Sequence, residues 1–180
     1  MFMTADQQRY LRDEFHGLTL SATVRRAKIY APNISEQQHS PFQSGLRREL
    51  ELISEHYDRE VRDETHLGHI DRLASSLSQQ YSAVLRGGRF RIGPAQKALN
   101  LFLKYLWCAG LIPMPPHCPF DSRVIAKFPA PDQLNWTELD DIEAYARLVT
   151  VARAVAGTLP LAEWELRVYN TVSTAAARGT

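Results

Sequence analysis

Residues 90–107 read FRIGPAQKALNLFLKYLW, and this stretch decides the fold. Gly93 and Pro94 mark a helix start, because proline is tolerated in the first turn, where its missing N–H has no helical partner. From Ala95 onward nearly every position is apolar, which is typical of a helix surrounded by other helices. The stretch therefore predicts a buried central helix over residues 94–108.

Polar residues interrupt this helix at Lys97, Asn100 and Lys104. Their spacing of i, i+3 and i+7 places them on one narrow stripe. A stripe with two lysines on an otherwise apolar helix faces either solvent at a gap in the packing or a cleft.

The chain before this helix also has helical signals. Thr4 is a candidate cap for a helix over residues 4–15, and Gly17 is expected to separate it from a second helix over residues 18–30. Pro41 is expected to open a third helix. Apolar residues then recur at steps of three and four over residues 67–85, which predicts one helix face on the core.

The second half of the chain predicts further helices with identifiable ends. Asp121 is a candidate N-cap for a helix over residues 122–128, stopped by Pro129 and Pro131. Later helices are expected over residues 137–156, closed by Gly157, and from Pro160 to a frayed end over residues 175–180. No segment alternates with period two. We therefore expect an all-α protein of about seven or eight helices, forming a single domain over residues 1–180 or two lobes with a cleft between them.

The charge is balanced overall, with a formal net charge of +1, but it is distributed unevenly. No carboxylate lies between Asp71 and Asp121, whereas six cations do: Arg72, Arg86, Arg89, Arg91, Lys97 and Lys104. Such a stretch is a plausible footprint for nucleic-acid phosphates.

The two cysteines, Cys108 and Cys118, indicate a reducing compartment rather than a disulfide framework. The N-terminal residues are too polar for an export segment, and no apolar run is long enough to span a bilayer. We expect a cytoplasmic protein that does not insert into membranes.

The connection over residues 86–93 is a short turn rich in glycine and arginine. A helix N-terminus with unpaired N–H groups beside Arg86, Arg89 and Arg91 is a natural place for a phosphate. The alternative is a plain connector whose arginines face water or bind carbonyl groups. On charge and spacing the two interpretations have equal weight.

A metal or cofactor site is not indicated. His117 and Cys118 are adjacent, so their side chains point in opposite directions in an extended segment, and Cys108 ends a buried helix. No further cysteine or histidine has ligand spacing, and neither a nucleophile elbow nor a glycine-rich phosphate loop is present. We expect no metal and no cofactor.

A lysine and an acid are the remaining candidates for chemistry. A lysine among apolar neighbours has a lowered pKa, so that its neutral amine becomes a nucleophile. Lys97 or Lys104 with Asp121 would suit Schiff-base chemistry at a sugar carbon. The alternative is that both lysines reach solvent and Asp121 only caps its helix.

Four segments follow one another in the middle of the chain: Ile92-Gly93-Pro94-Ala95-Gln96-Lys97, an apolar helix, a proline-rich turn, and Pro119-Phe120-Asp121-Ser122-Arg123-Val124. This order resembles the core of helix-hairpin-helix DNA glycosylases, most of all their archaeal 8-oxoguanine branch. The resemblance implies excision of a modified base from DNA.

The resemblance also implies roles for individual residues. Lys97, with Lys104 as second choice, would attack the sugar C1′, and Asp121 would stabilise the cationic state. DNA phosphates would meet the Gly93 N–H and the side chains of Arg86, Arg89, Arg91 and Arg123. The flipped base would stack on aromatic groups such as Trp107, Phe120 or Trp136.

Two other functions remain open. A non-catalytic helical module would use the basic stretch to dock nucleic acid or a partner protein, without base release. A helical enzyme could instead use Lys97 and Asp121 on a carbonyl metabolite, and it would be indifferent to DNA.

Overall fold

A computed structural model describes residues 3–130 and 134–177, and the regular structure of these residues is helical. It contains α1 (Ala5–Ala27), α2 (Glu36–Ser54), α3 (Asp63–Tyr81), α4 (Ile92–Cys108), α5 (Ser122–Ile125), α6 (Ile142–Ala156) and α7 (Leu161–Ala177). In this part of the chain no strand forms, and Tyr30 and Leu85 make an isolated antiparallel bridge. The predicted all-α class is confirmed.

The central helix is α4, which covers the predicted range of 94–108 and starts slightly earlier, at Ile92. Its residues are buried from Ile92 to Lys104, and Leu106 is buried as well. α4 packs against α1, α2, α3 and α6. The predicted buried central helix is therefore confirmed.

α1 is one continuous helix, so the predicted break at Gly17 is wrong. Thr4 begins it as predicted, because the Gln7 N–H donates to Thr4 Oγ1 over 3.2 Å and the Thr4 N–H donates to Gln7 Oε1 over 2.8 Å. A glycine inside a helix costs only about 1 kcal/mol relative to alanine. Packing along α4, where the rings of His16 and Phe102 stack with centroids 4.3 Å apart, offsets that cost.

α2 begins at Glu36, ahead of the predicted start at Pro41. Its start is set by Ser35 and Gln38, whose side-chain Oε1 accepts from the Ser35 N–H over 2.9 Å. Pro41 lies in the second turn, where it removes one backbone hydrogen bond without ending the helix.

α3 and α5 also differ from prediction at their ends. α3 begins and ends earlier than residues 67–85, and a 3-10 turn over Arg86–Gly88 follows it. Gly87 in that turn has a φ of 65°, a conformation that favours glycine. α5 ends at Ile125, before the predicted end at residue 128.

α6 begins at Ile142 and not at Thr137, because Asp141 is its cap and accepts from the Glu143 N–H over 3.0 Å. Thr137 belongs to a 3-10 turn, Trp136–Glu138. Gly157, with a φ of 66°, ends α6 as predicted. The frayed end predicted over residues 175–180 starts too early, since the helix that begins at Leu161 continues to Ala177. The predicted stop at Pro131 and residues 178–180 lie outside the described residues.

α7 packs against α5 and α6. Together with α1 and α4, it encloses the segment that leads into α5, and this convergence forms the cleft described below. Among the helices of the described residues, none is both long enough and apolar enough to cross a membrane.

Candidate active site

A cleft of about 370 Å³ lies between α1, α4, α7 and the segment that leads into α5. Its apolar wall includes Leu101, Val124 and Leu166. Its charged lining consists of Arg26, Lys97, Lys104, Asp121, Arg123 and Glu165. Both lysines of the central helix therefore open onto the same cavity as Asp121.

Lys97 and Asp121 form an ion pair in this cleft, with 3.4 Å between Nζ and Oδ2. Only 3% of the Lys97 side chain is exposed, compared with 21% of the Asp121 side chain. The Lys97 ammonium also lies 4.4 Å from the centroid of the Trp136 ring. The amine thus has an acid on one side and an aromatic face on another.

The pKa of the Lys97 amine is lowered, chiefly because burial removes water from the charged form. The Asp121 carboxylate opposes this shift, whereas the positive charges of Arg26 and Arg123 add to it. The surroundings of Lys97 therefore favour the neutral amine more than water does.

Asp121 uses its two carboxylate oxygens for different purposes. Oδ1 accepts from the backbone N–H of Arg123 over 2.9 Å and from that of Val124 over 3.4 Å, so Asp121 caps α5 as predicted. Oδ2 faces Lys97. Capping fixes the carboxylate in place without consuming the oxygen that meets the amine.

A second ion pair joins Lys104 to Glu165, with 2.6 Å between Nζ and Oε2. Both side chains are buried, and the Lys104 ammonium lies 4.7 Å from the centroid of the Tyr169 ring. Burial raises the pKa of the Glu165 carboxyl, and Lys104 opposes that shift. Lys104 is held more tightly than Lys97, so Lys97 remains the better candidate nucleophile.

Asn100 does not belong to the cleft, which corrects the predicted single polar stripe. Its Oδ1 accepts from His66 Nε2 over 2.8 Å, and its Nδ2 donates to the Tyr145 hydroxyl over 3.0 Å. A step of three residues turns the side chain by about 60° from Lys97, which is enough to reach the buried side of α4.

Two of the three arginines in the arginine-rich turn form ion pairs with the protein's own acids. Arg91 forms an ion pair with Glu138, and Arg89 lies 3.2 Å from Asp140. The Gly93 N–H donates to the Leu139 carbonyl oxygen over 2.7 Å. Because this N–H already has a partner, the structure corrects the expected phosphate contact at Gly93. Arg86 is exposed.

Gly93 instead has a packing role. A Cβ atom at this position would lie 1.7 Å from the carbonyl oxygen of Trp136, which is far inside van der Waals contact. The glycine lets the 3-10 turn at Trp136–Glu138 lie directly on the start of α4.

The three aromatic candidates lie in different surroundings. Trp136 packs beside the Lys97 ammonium. Phe120 is fully buried, with its ring centroid 5.5 Å from that of Tyr145. Trp107 is half-buried and is not among the described residues that line the cleft. None of the three is among the described residues that line the cleft, and of the three only Trp136 lies close to the Lys97 amine.

Histidines and cysteines do not form a metal centre in the part of the chain that the structure describes, where no group of three or more potential ligands is suitably arranged. His117 is buried, and its Nδ1 accepts from the Tyr145 hydroxyl over 3.0 Å. Cys118 is buried, and Cys108 lies at the edge of the cleft.

Glu165 and Arg26 are cleft residues that the sequence analysis missed. The sequence contains an indication for Glu165, because this acidic residue lies one helical turn from Leu161 and next to Trp164, on the apolar face of α7. Arg26 had no such signal, because its place in the cleft depends on how α1 crosses α4.

Compared with protein-family models, curated proteins and solved structures, the chain has no match in any of the three. The case for a function therefore depends on the residues and their geometry.

Proposed function

We propose that the protein is a DNA glycosylase that excises a modified base, with Lys97 as the amine that attacks C1′. The observation that supports it best is the Lys97–Asp121 pair, 3.4 Å apart in one cleft. The order of a turn, a lysine-bearing helix, a proline-rich segment and a capping aspartate resembles that of helix-hairpin-helix glycosylases.

The reaction begins with the neutral Lys97 amine. Its nitrogen lone pair forms a bond to C1′, the C1′–base bond breaks, and the base leaves with the bonding electrons and takes up a proton. Asp121 stabilises the positive charge that develops on the sugar. Proton transfer from the new C1′-bound nitrogen to O4′ opens the sugar ring and leaves a protonated Schiff base.

Strand cleavage would follow from the same intermediate. Loss of a proton from C2′ supplies electrons for β-elimination, in which the C3′–O bond breaks and the 3′ phosphate leaves with the bonding pair. The Schiff base acts as the electron sink, so this step needs no cofactor.

The DNA backbone meets the cleft at its exposed arginines. Arg26 and Arg123 are exposed, and among the described residues neither forms an ion pair. The Arg123 guanidinium lies 5.4 Å from the centroid of the Tyr169 ring, which holds it at the cleft. These two cations are better placed for phosphates than Arg89 and Arg91, which already form ion pairs with Asp140 and Glu138.

The proposal is tested by borohydride trapping on duplexes that carry an abasic site or one of a panel of modified bases. We expect wild type to form a covalent adduct and Lys97→Met to form none while still binding DNA. Lys104→Met is the matched control, since it removes the other buried lysine of α4 and should trap normally. Absence of both a wild-type adduct and base release would refute the glycosylase proposal. Loss of the adduct only in Lys104→Met would assign the nucleophile to Lys104.

A non-catalytic DNA-binding module is the second candidate function. The burial of Lys97 in an ion pair with Asp121 favours it, because such a pair is also a feature of a purely structural arrangement. It predicts salt-sensitive DNA binding with no adduct and no released base. Trapping of a carbonyl metabolite, with indifference to DNA, would instead indicate a Schiff-base enzyme of small molecules.

A further inference from the structure

Gln96 joins the two chain segments that carry the candidate catalytic groups. Its Nε2 donates to the Phe120 carbonyl oxygen over 2.8 Å, and its Oε1 accepts from the Phe120 N–H over 3.1 Å. Gln96 immediately precedes Lys97, and Phe120 immediately precedes Asp121. One side chain thus bonds both backbone groups of the residue next to the acid.

The backbone of Phe120 depends on this side chain. Residue 120 lies at the end of the proline-rich segment, outside any helix, and its side chain is fully buried. Buried N–H and C=O groups require partners, and an amide side chain can satisfy both at once. Gln96 is itself completely buried, so water cannot replace it.

The amide of Gln96 is held in one orientation by its neighbours. Asn100 Nδ2 donates to Gln96 Oε1 over 3.2 Å, and Asn100 Oδ1 accepts from His66 Nε2 over 2.8 Å. The Tyr57 hydroxyl donates to His66 Nδ1 over 2.7 Å. Because the Phe120 N–H can only donate and its carbonyl oxygen can only accept, these two groups determine which end of the Gln96 amide faces each of them, and the bonds of Asn100 and His66 are consistent with that orientation.

We infer that Gln96 is a positioning residue that holds the Asp121 carboxylate against the Lys97 amine. The expected effect of Gln96 on catalysis rests on the proposed function. Its role in holding Asp121 near Lys97 depends only on the folded structure. A small displacement of reacting groups lowers a rate steeply without a matching loss of binding. We therefore expect loss of Gln96 to slow the chemical step and to leave DNA binding unchanged.

The kinetic test measures adduct formation under single-turnover conditions in Gln96→Met. We expect the maximal trapping rate to fall on the order of 10- to 100-fold at an unchanged Kd for DNA. Gln96→Leu, whose side chain has no hydrogen-bonding group, should show the same pattern. A maximal rate equal to that of wild type in either variant would overturn the inference.

Tyr145→Phe is the matched control for loss of a buried hydrogen bond. Tyr145 accepts from the same Asn100 Nδ2 but makes none of the Phe120 backbone bonds. We expect it to trap at the wild-type rate. A loss in Tyr145→Phe as large as that in Gln96→Met would show a general effect of the polar core and contradict a positioning role for Gln96.

A measurement on the protein alone separates this inference from the proposed function. The ammonium signals of ¹⁵N-lysine-labelled protein can be assigned by substitution, since the lysines are Lys28, Lys97, Lys104 and Lys127. We expect Gln96→Met to shift the Lys97 signal in the direction that Asp121→Asn shifts it, and to leave Lys104 unchanged. An unshifted Lys97 signal would refute the positioning role even if trapping succeeds. A shifted signal would support it even if wild type forms no adduct and the glycosylase fails.

Discussion

At the scale of single residues, the site depends on a lysine whose charge is only partly compensated. Lys97 has one carboxylate 3.4 Å away, and its pKa is lowered by burial and by two nearby arginines. Lys104, two turns further along α4, has a buried carboxylate at 2.6 Å. The difference in pairing distinguishes a candidate nucleophile from a lysine that ties α4 to α7.

Removing Asp121 should change the pH dependence of the trapping rate in a defined direction. The carboxylate raises the pKa of Lys97, so in Asp121→Asn that pKa falls and the rising limb of the pH–rate profile moves to lower pH. The plateau should fall by about 100-fold, because the sugar cation loses its counter-charge. Single-turnover trapping across the pH range measures both effects.

Arg123→Gln should shift the pH–rate profile of trapping in the opposite direction from Asp121→Asn. Arg123 lowers the pKa of Lys97, so its removal should move the rising limb to higher pH. Shifts of both variants in the same direction would contradict the assignment of that limb to the Lys97 amine.

The residues that could be predicted were those with local signals. Lys97 stands out against an apolar helix, and Asp121 follows a proline-rich segment at a helix start, so the sequence alone indicates both. The partners of Arg89 and Arg91 are not indicated, because Asp140 and Glu138 are distant in sequence. Ion pairs between such segments have no periodic pattern that a single sequence could show.

At the scale of elements, the start of α4 is fixed by close backbone contact. The Gly93 N–H donates to the Leu139 carbonyl oxygen, and the absence of a Cβ atom at Gly93 leaves room for the Trp136 carbonyl of the 3-10 turn Trp136–Glu138. The same 3-10 turn places the Trp136 ring beside Lys97. Gly93, which the sequence predicts as a phosphate contact, therefore allows the packing that brings Trp136 against the Lys97 amine.

Gly93→Ala should destabilise the protein, because its Cβ would lie 1.7 Å from the Trp136 carbonyl oxygen and force the turn away. We expect a loss of about 1–3 kcal/mol in the free energy of unfolding, measured by urea denaturation. Gly17→Ala is the matched control, since nothing lies within 4 Å of its added Cβ. It should stabilise α1 by up to about 1 kcal/mol. Equal stabilities for the two variants would contradict the packing role of Gly93.

Helix interiors were predictable from periodicity, whereas some helix ends were not. The apolar pattern located α4, and Thr4 and Gly157 marked ends that the structure confirms. Gly17 and Pro41 predict helix boundaries, yet both lie inside helices. Tertiary packing and a capping box elsewhere outweigh a single unfavourable residue, and neither effect can be judged from propensity alone.

At the scale of the whole molecule, a nearly neutral chain has two exposed arginines at one cleft. The formal net charge is +1, and acids around residue 140 neutralise part of the arginine turn. Arg26 and Arg123 lie at the cleft. DNA is therefore expected to approach by the cleft and not by the turn alone.

The salt dependence of DNA binding should reveal which arginines contact phosphate. Arg26→Gln and Arg123→Gln should each reduce the slope of log Kd against log salt by about 1. Arg89→Gln should change the slope less, because Asp140 already neutralises Arg89. Titration of a labelled duplex at several salt concentrations checks this order. A larger change of slope in Arg89→Gln than in Arg26→Gln and Arg123→Gln would indicate that DNA binds at the arginine-rich turn.

The most direct test of the central claim is to identify the residue that becomes bonded to DNA. Wild-type protein is trapped with borohydride on an abasic-site or modified-base duplex, digested with nuclease and protease, and mapped by mass spectrometry. We predict that the sugar remnant is attached to the peptide containing Lys97, at the Lys97 Nζ atom. An adduct on Lys104, or no adduct with any of the duplexes, would contradict the account.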